Sequence, residues 1–361
     1  MPYRLEPRGE RSTFWNYAAP VLAIALTIVT MGVLFALLGT PPLTAIETFL
    51  ISPLLTANGL GELAVRAAPL IMIGVGYSFC YRANVWNIGG DGQFTLGAIA
   101  GGGLALLLPN AAFWWFYPVV LIAGILGGMF WAGIVALLKL KFNANEILTS
   151  LMLVYTAQLI LVWLVTGPWR DPQGFGFPQS AMFGAGATTP DIGQTSIHVG
   201  CILAPIIAVV LWQVMERSVL GFQLRVVGQA PRAARFAGFS NDRLTWIALL
   251  VSGGLSGLAG IIEVTGPIGQ LTTDITPNYG FTAVIVAFLG RLHPVGVIFA
   301  GLLLALSYLG GDAAQMNQHL PNAVTGIFQG VLLFYLLGAD VLILYRFRRI
   351  RRVAPVAEPA E

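Results

Sequence analysis

Few residues in this chain have side chains suited to catalysis, and their spacing does not fit it. A phosphate-binding loop needs a Gly-rich turn that ends in lysine. The two lysines, Lys139 and Lys141, follow no such turn. Metal-assisted hydrolysis needs histidines at helical spacing beside a carboxylate, whereas His198, His293 and His319 stand far apart with no HExxH pattern. There is no G-x-S-x-G elbow to present a nucleophilic serine. Cys80 and Cys201 sit in apolar runs and offer neither a disulfide framework nor a metal site. The chain reads as no enzyme, with no metal and no cofactor of its own.

The remaining polar groups lie in apolar surroundings, where an ionisable side chain is costly and faces a cavity or a partner. Asp91 and Gln93 open an apolar run, where a helix N-terminus favours an anion; they cap that helix or stand near a transport path. Glu146 opens another run. Glu263 closes one, where its charge opposes the helix dipole, and this makes it the better candidate for function. Asn87, Thr149, Gln158 and Thr282 offer neutral hydrogen bonds. The candidate path is therefore Asn87, Asp91, Gln93, Glu146, Thr149, Glu263 and Thr282. Glu62 and Arg66, four apart with the acid first, read as a structural ion pair. Polar but sparsely charged spans suit an uncharged polar solute, such as a nucleoside or sugar, better than an ion.

The elements that position these groups follow from composition. Of 361 residues, 57% are hydrophobic and 10% charged, against roughly 25% charged in a soluble domain. Apolar runs of about 20 residues match a bilayer core of ~30 Å crossed as helix. The expected fold is an all-α polytopic membrane protein of ten spans, near 17–38, 61–80, 92–108, 117–138, 146–166, 199–216, 244–262, 280–290, 295–311 and 322–345. The eighth is too short for a full crossing and reads as broken or re-entrant. The first is too long for the h-region of a cleavable signal. Residues 1–16 and 346–361 are the two cytoplasmic ends, 17–345 the transmembrane domain, and 167–198 a Pro/Gly-rich external loop.

With the N-terminus inside, the cytoplasmic segments hold 17 of the 19 basic residues and leave only Arg66 and Arg170. That asymmetry predicts N-in and C-in. It also explains the pI near 9.0 without a nucleic-acid partner. Glycines recur at four-residue spacing in the spans, as Gly97/Gly101, Gly124/Gly128 and Gly253/Gly257, with Ser252, Ser256 and Gly260 extending the last stripe. Such stripes let helices approach closely in lipid.

The longest basic cytoplasmic stretch, 217–243, holds Pro231 and Gly238, which suit the first position of a helix and the position just past its end. The helix between them spans about two turns, ~10 Å. Arg232 and Arg235 share one face, with Ala233, Phe236 and Ala237 on another. Such a helix either docks in the groove of a partner or lies solvated against lipid headgroups.

The motifs resemble those of permease subunits of type II ATP-binding-cassette (ABC) importers. Gly221, Leu224, Arg225, Gly228, Pro231, Ala233, Ala234, Ala237 and Gly238 match the segment that in that family looks like the coupling helix for the ATPase. Asn87-Ile-Gly89-Gly-Asp91-Gly92-Gln93, Asn145-Glu146-Ile-Leu-Thr149-Ser-Leu-Met152 and Gly280-Phe-Thr-Ala-Val-Ile-Val-Ala-Phe-Leu-Gly290-Arg291 resemble three further family segments, in the same order. The likeness runs from about residue 60 to 340. It is strongest to the larger permease of nucleoside and simple-sugar importers that use a BMP-type binding lipoprotein. Val154 departs from the asparagine usual in that group. The resemblance implies a type II ABC permease fold in a bacterial cytoplasmic membrane. It implies that ATP and Mg are bound by a separate ATPase chain, that a second permease chain makes a heterodimer, and that a substrate-binding protein delivers a nucleoside or simple sugar. Coupling would rest on Gly221, Leu224, Arg225, Gly228, Pro231, Arg232, Arg235, Phe236 and Gly238. The main alternative is an ion-coupled secondary carrier of a small polar solute; a membrane-embedded enzyme or passive channel is a third reading.

Overall fold

The computed structural model describes residues 3–7, 13–111, 113–190 and 197–349. Arg8, Arg11, Arg351, Arg352 and part of the expected external loop lie outside the described residues. The chain divides into two units, 1–46 with 320–361, and 47–319.

In the first unit, α1 (Thr13–Leu37) packs against α13 (Ala323–Leu344), and α2 (Pro42–Ile46) follows α1. Ala19 lets α13 approach, forming a small core with Ala339, Ile343 and Trp15. Thr30 and Tyr335 share a hydroxyl–hydroxyl bond of 2.8 Å. Among the described residues one short ribbon accompanies the helices of this all-α chain. β1 (Tyr3–Pro7) pairs antiparallel with β2 (Tyr345–Arg349), Tyr3 opposite Arg349 and Pro7 opposite Tyr345. Segments read as two separate ends form one ribbon, because strand pairing joins stretches that no local pattern links.

The second unit is a helical bundle. After a π-helical turn at Glu47–Ile51 come α3 (Ala57–Arg82), α4 (Gly90–Leu107), α5 (Phe116–Phe142), α6 (Glu146–Thr166) and α7 (Val199–Arg217). Then follow α8 (Val219–Gln229), α9 (Pro231–Phe236), α10 (Asn241–Glu263), α11 (Tyr279–Leu289) and α12 (Pro294–Gln318). The starts are set by side chains that accept first-turn amides: Thr56 for α3, Asn145 for α6, Ser218 for α8 and Ser240 for α10. Each of the ten expected spans falls on a helix. Eight helices among the described residues reach the length and hydropathy of a crossing; α4 and the short α11 do not. Ten full crossings are therefore not supported.

α3 and α10 are buried along most of their length, while α5, α6 and α7 turn Phe130, Leu159, Trp163 and Val210 outward. Large apolar side chains on the outside with small residues within is how a bundle packs when lipid is the solvent. The three predicted glycine stripes meet one another. A Cβ at Gly97 would run into the backbone of Gly257, and one at Gly128 into the backbone of Gly253 and Gly257. The backbones of α4, α5 and α10 thus touch with no side chain between them.

The stretch 217–243 is not a loop with one helix. Residues 219–229 already form α8, with Gly221, Leu224 and Val227 buried at helical spacing. Gly238 ends the α9 region at φ +79°, as its position predicts.

Candidate functional site

Between α3 and α4 the chain runs extended, with Asn87 at the level of Ser252, the middle of α10. Non-helical backbone at such depth is tolerated only where protein satisfies it, and here side chains of the neighbouring helices take that part. Tyr81 donates to the carbonyl of Asn87 at 2.9 Å, the Ile88 amide donates to Ser150 Oγ at 3.2 Å, and the Gly90 amide donates to the Tyr77 hydroxyl at 2.8 Å. The side-chain amides of Asn87 and Gln93 pair reciprocally at 2.9 and 3.0 Å; Asn87 Nδ2 also donates to Ser252 Oγ, and its Oδ1 accepts from the Gly89 amide. Asn87→Leu strands several buried donors and acceptors at once. Each costs about 1–3 kcal/mol, so a loss on the order of 3–5 kcal/mol is expected, read as a lowered melting temperature of the detergent-solubilised chain.

Asp91 is fully absorbed into the same elbow. Its carboxylate accepts from the amides of Gly280 (2.9 Å) and Phe281 (3.2 Å) and from Thr276 Oγ1 (3.0 Å). It therefore caps α11, a helix almost two hundred residues away, and not the helix it opens, whose start has no side-chain cap. Thr282 bonds to the hydroxyl of Tyr308 at 2.7 Å within the buried packing of α11 on α12. Glu146 pairs with Lys139 and accepts the Trp86 amide, and Thr149 bonds back to the Asn145 carbonyl, at the end of the bundle where α3 finishes.

The end where α3 begins holds a cavity of about 1290 Å³. Its walls include Asn58, Glu62 and Arg66 of α3, His198 before α7, Glu263 of α10, the 266–278 connection with Asp274 and Asn278, Tyr279 of α11, and Asp312 of α12. Arg66 pairs with Asp312 at 2.6 Å, across to α12, not with Glu62 in its own helix as expected. Glu263 is 8% exposed and shares the cavity wall with Tyr279 and Arg66. Four carboxylates and two side-chain amides around a water-accessible space make a surface rich in hydrogen-bond acceptors, suited to hydroxyl-rich solutes.

Of the seven candidate path residues, Glu263 lines this cavity. Asn87, Asp91, Gln93 and Thr282 knit helices together, and Glu146 and Thr149 lie at the other end. Sequence reasoning missed Asp274, Asn278 and Asp312. A lone acid at the close of a long apolar run was the available signal for Asp312.

At the end where α3 finishes, α8 and α9 stand on the bundle. Ser218 caps α8, accepting from the Gly221 amide, and Leu224 packs inward. Gly228 sits on the carbonyl of Arg82, where a Cβ would collide. Arg225 reaches Glu216 at 3.2 Å. Pro231 opens α9; Arg232 and Arg235 are exposed, Ala234 is buried, and Phe236 is 94% exposed. An aromatic ring held in the open beside two arginines is a feature for contact with something outside the chain. Among the described residues no group of histidines, cysteines and carboxylates is placed to hold a metal ion.

Residues 59–337 match the family described as the branched-chain amino acid transport system / permease component. The chain is 34% identical to a glucose ABC transporter permease, TsgB13 of Haloferax volcanii, over 95% of its own length and 93% of the relative's. It is 24% identical to the nucleoside ABC transporter permease NupB of Lactococcus lactis, over 88% of this chain and 89% of that one. It is 27% identical to the guanosine ABC transporter permease NupP of Bacillus subtilis, over 76% and 80%. Eight membrane-length helices, a cavity at one end of the bundle and a pair of short amphipathic helices at the other belong together in such a protein: the chain is a member of this permease family, the multi-pass membrane subunit of an ATP-binding-cassette importer that works with an ATPase and a binding protein.

Proposed function

We propose that this permease carries a neutral, hydroxyl-bearing ring, a nucleoside or a simple sugar, from the cavity side to the α8–α9 side. It does so as one half of a heterodimer with a second, non-identical permease chain. The observation that carries the reading is the placement of the two features. The first turns of α3 line the cavity, and its last residue, Arg82, meets α8. A helix of 26 residues is ~39 Å long, enough to span a bilayer. The basic residues of 217–243 support a cytoplasmic α8–α9 end, with N-in and C-in; on this reading the cavity opens outward to receive solute from the binding protein. Its volume exceeds the roughly 300–1,000 Å³ of a tight small-molecule site, which fits an antechamber better than a high-affinity pocket. The solute class rests on the acceptor-lined walls and on what the relatives are named for. Coupling is assigned to Gly221, Leu224, Arg225, Gly228, Pro231, Arg232, Arg235, Phe236 and Gly238, with ATP and Mg held by the ATPase.

The test is uptake by the assembled importer in proteoliposomes, with a panel of labelled nucleosides, simple sugars and amino acids. Uptake of a nucleoside or sugar, driven by ATP and uncompeted by amino acids, is expected. The lone chain under an imposed ion gradient should accumulate nothing. Competition by amino acids only would discard the solute class, and gradient-driven uptake by the lone chain would restore the ion-coupled carrier.

A further inference from the structure

Three charged groups on three different helices meet where the bundle joins α8. Glu216, at the end of α7, pairs through one carboxylate oxygen with Arg82 at the end of α3, and through the other with Arg225 in the middle of α8. Arg82 has a second attachment: its Nε donates to the carbonyl of Leu292 at 3.1 Å. Leu292 and its neighbour Arg291 form the turn between α11 and α12, both at positive φ, +52° and +57°. Two consecutive side-chain-bearing residues in the left-handed region are held there at a cost. Such a turn is a place where a small displacement can switch the backbone.

The other end of α11 is fixed by the same stretch of chain. Arg82 heads the extended elbow that ends at Asp91, and Asp91 caps the first amides of α11. Residues 82–91 thus bracket α11 at both ends, over the ~16 Å of an eleven-residue helix. Tyr279, the first residue of α11, lies in the cavity wall.

We propose that Arg82 and Glu216, with Arg225, are positioning residues for transport: they transmit displacement of α8 through the Leu292 carbonyl and α11 to the cavity wall. The inference rests on the reading of α8–α9 as the ATPase-facing element. Arg82 and Glu216 lie outside the coupling motif, and neither lines the cavity. The fork of the arginine matters more than its charge, because one guanidinium holds both the carboxylate and the carbonyl. Partly exposed ion pairs contribute little to stability, so the effect of breaking this one falls on coupling and not on folding.

The experiment uses the complete importer with Glu216→Gln, Arg82→Lys and, for comparison, Arg217→Gln at a neighbouring exposed arginine. ATP hydrolysis, uptake and co-purification of the ATPase are measured together. Lysine keeps the charge facing Glu216 but loses the fork. Both Glu216→Gln and Arg82→Lys should retain the ATPase and its hydrolysis while solute taken up per ATP falls about tenfold, within the range usual for coupled sites. Arg217→Gln should behave as wild type. An unchanged ratio of uptake to hydrolysis in both variants overturns the proposal. Loss of the bound ATPase in both overturns it too, because the triad would then serve docking alone. Failure of the docking reading shows separately, as α9 variants that keep the ATPase.

Discussion

Gly257→Leu should leave no folded bundle to purify. A Cβ at this position meets the carbonyl oxygen of Gly124 on α5 and, at 2.9 Å, both the N and the Cα of Gly128. On the other side, Gly97 of α4 is so close that its own missing Cβ would strike Gly257. Every obstructing atom is backbone, so no rotamer change can make room. Overpacking a core that can shift costs about 1–3 kcal/mol; here the backbones of α5 and α10 must separate, and the loss should exceed roughly 3 kcal/mol. Gly257→Ala should fall between leucine and wild type. Gly330→Leu is the matched comparison, because nothing lies within 4 Å of the Cβ it would carry. Size-exclusion profiles of the three variants in detergent, with yield and melting temperature, decide the matter. A monodisperse Gly257→Leu of wild-type stability would mean that the helices do not approach as closely as described.

The glycine stripes were legible in the sequence because a four-residue spacing fixes a helix face without knowledge of any partner. Which stripe meets which is a property of the assembled bundle. The same division runs through the candidate site. Pro231 and Gly238 marked the bounds of α9, since both signals are local. The role of Asp91 was not local: its carboxylate caps a helix that begins at Tyr279. Glu62, Asp274 and Asp312 come from distant segments and become neighbours only when α3, the 266–278 connection and α12 pack together. Arg66 was paired with the wrong acid for this reason, the i, i+4 rule favouring Glu62 over the cross-helix Asp312. α8 was missed for another reason. Basic residues and a Pro/Gly boundary made 217–243 read as a loop, and they masked an apolar face of Gly221, Leu224 and Val227. The terminal ribbon had no local signature.

Disrupting α9 should abolish uptake without disturbing the spans. The helix is tied to the rest of the chain by few contacts: Ala234 is buried beneath it, Phe239 donates its amide to the Ala234 carbonyl at 3.0 Å, and the ring of Phe239 meets Phe222 of α8 edge-on at 6.2 Å. Its outward side carries Arg232, Arg235 and Phe236. Arg235→Glu reverses a charge on that side, where a misplaced interfacial charge costs a few kcal/mol, enough to lower ATPase association by about a hundredfold. Ala234→Pro acts from beneath. It removes the amide that donates to the Ala230 carbonyl at 3.0 Å and sets a ring where there is no free space. Both variants should insert and elute as wild type, because neither position lies in a membrane-length helix. The measurement is co-purification of the ATPase on the solubilised permease, with uptake in the assembled importer followed in parallel. If both variants retain the ATPase and full uptake, α9 is a solvated basic segment at the headgroups, and the exposed Phe236 ring is in contact with lipid and not with a protein groove.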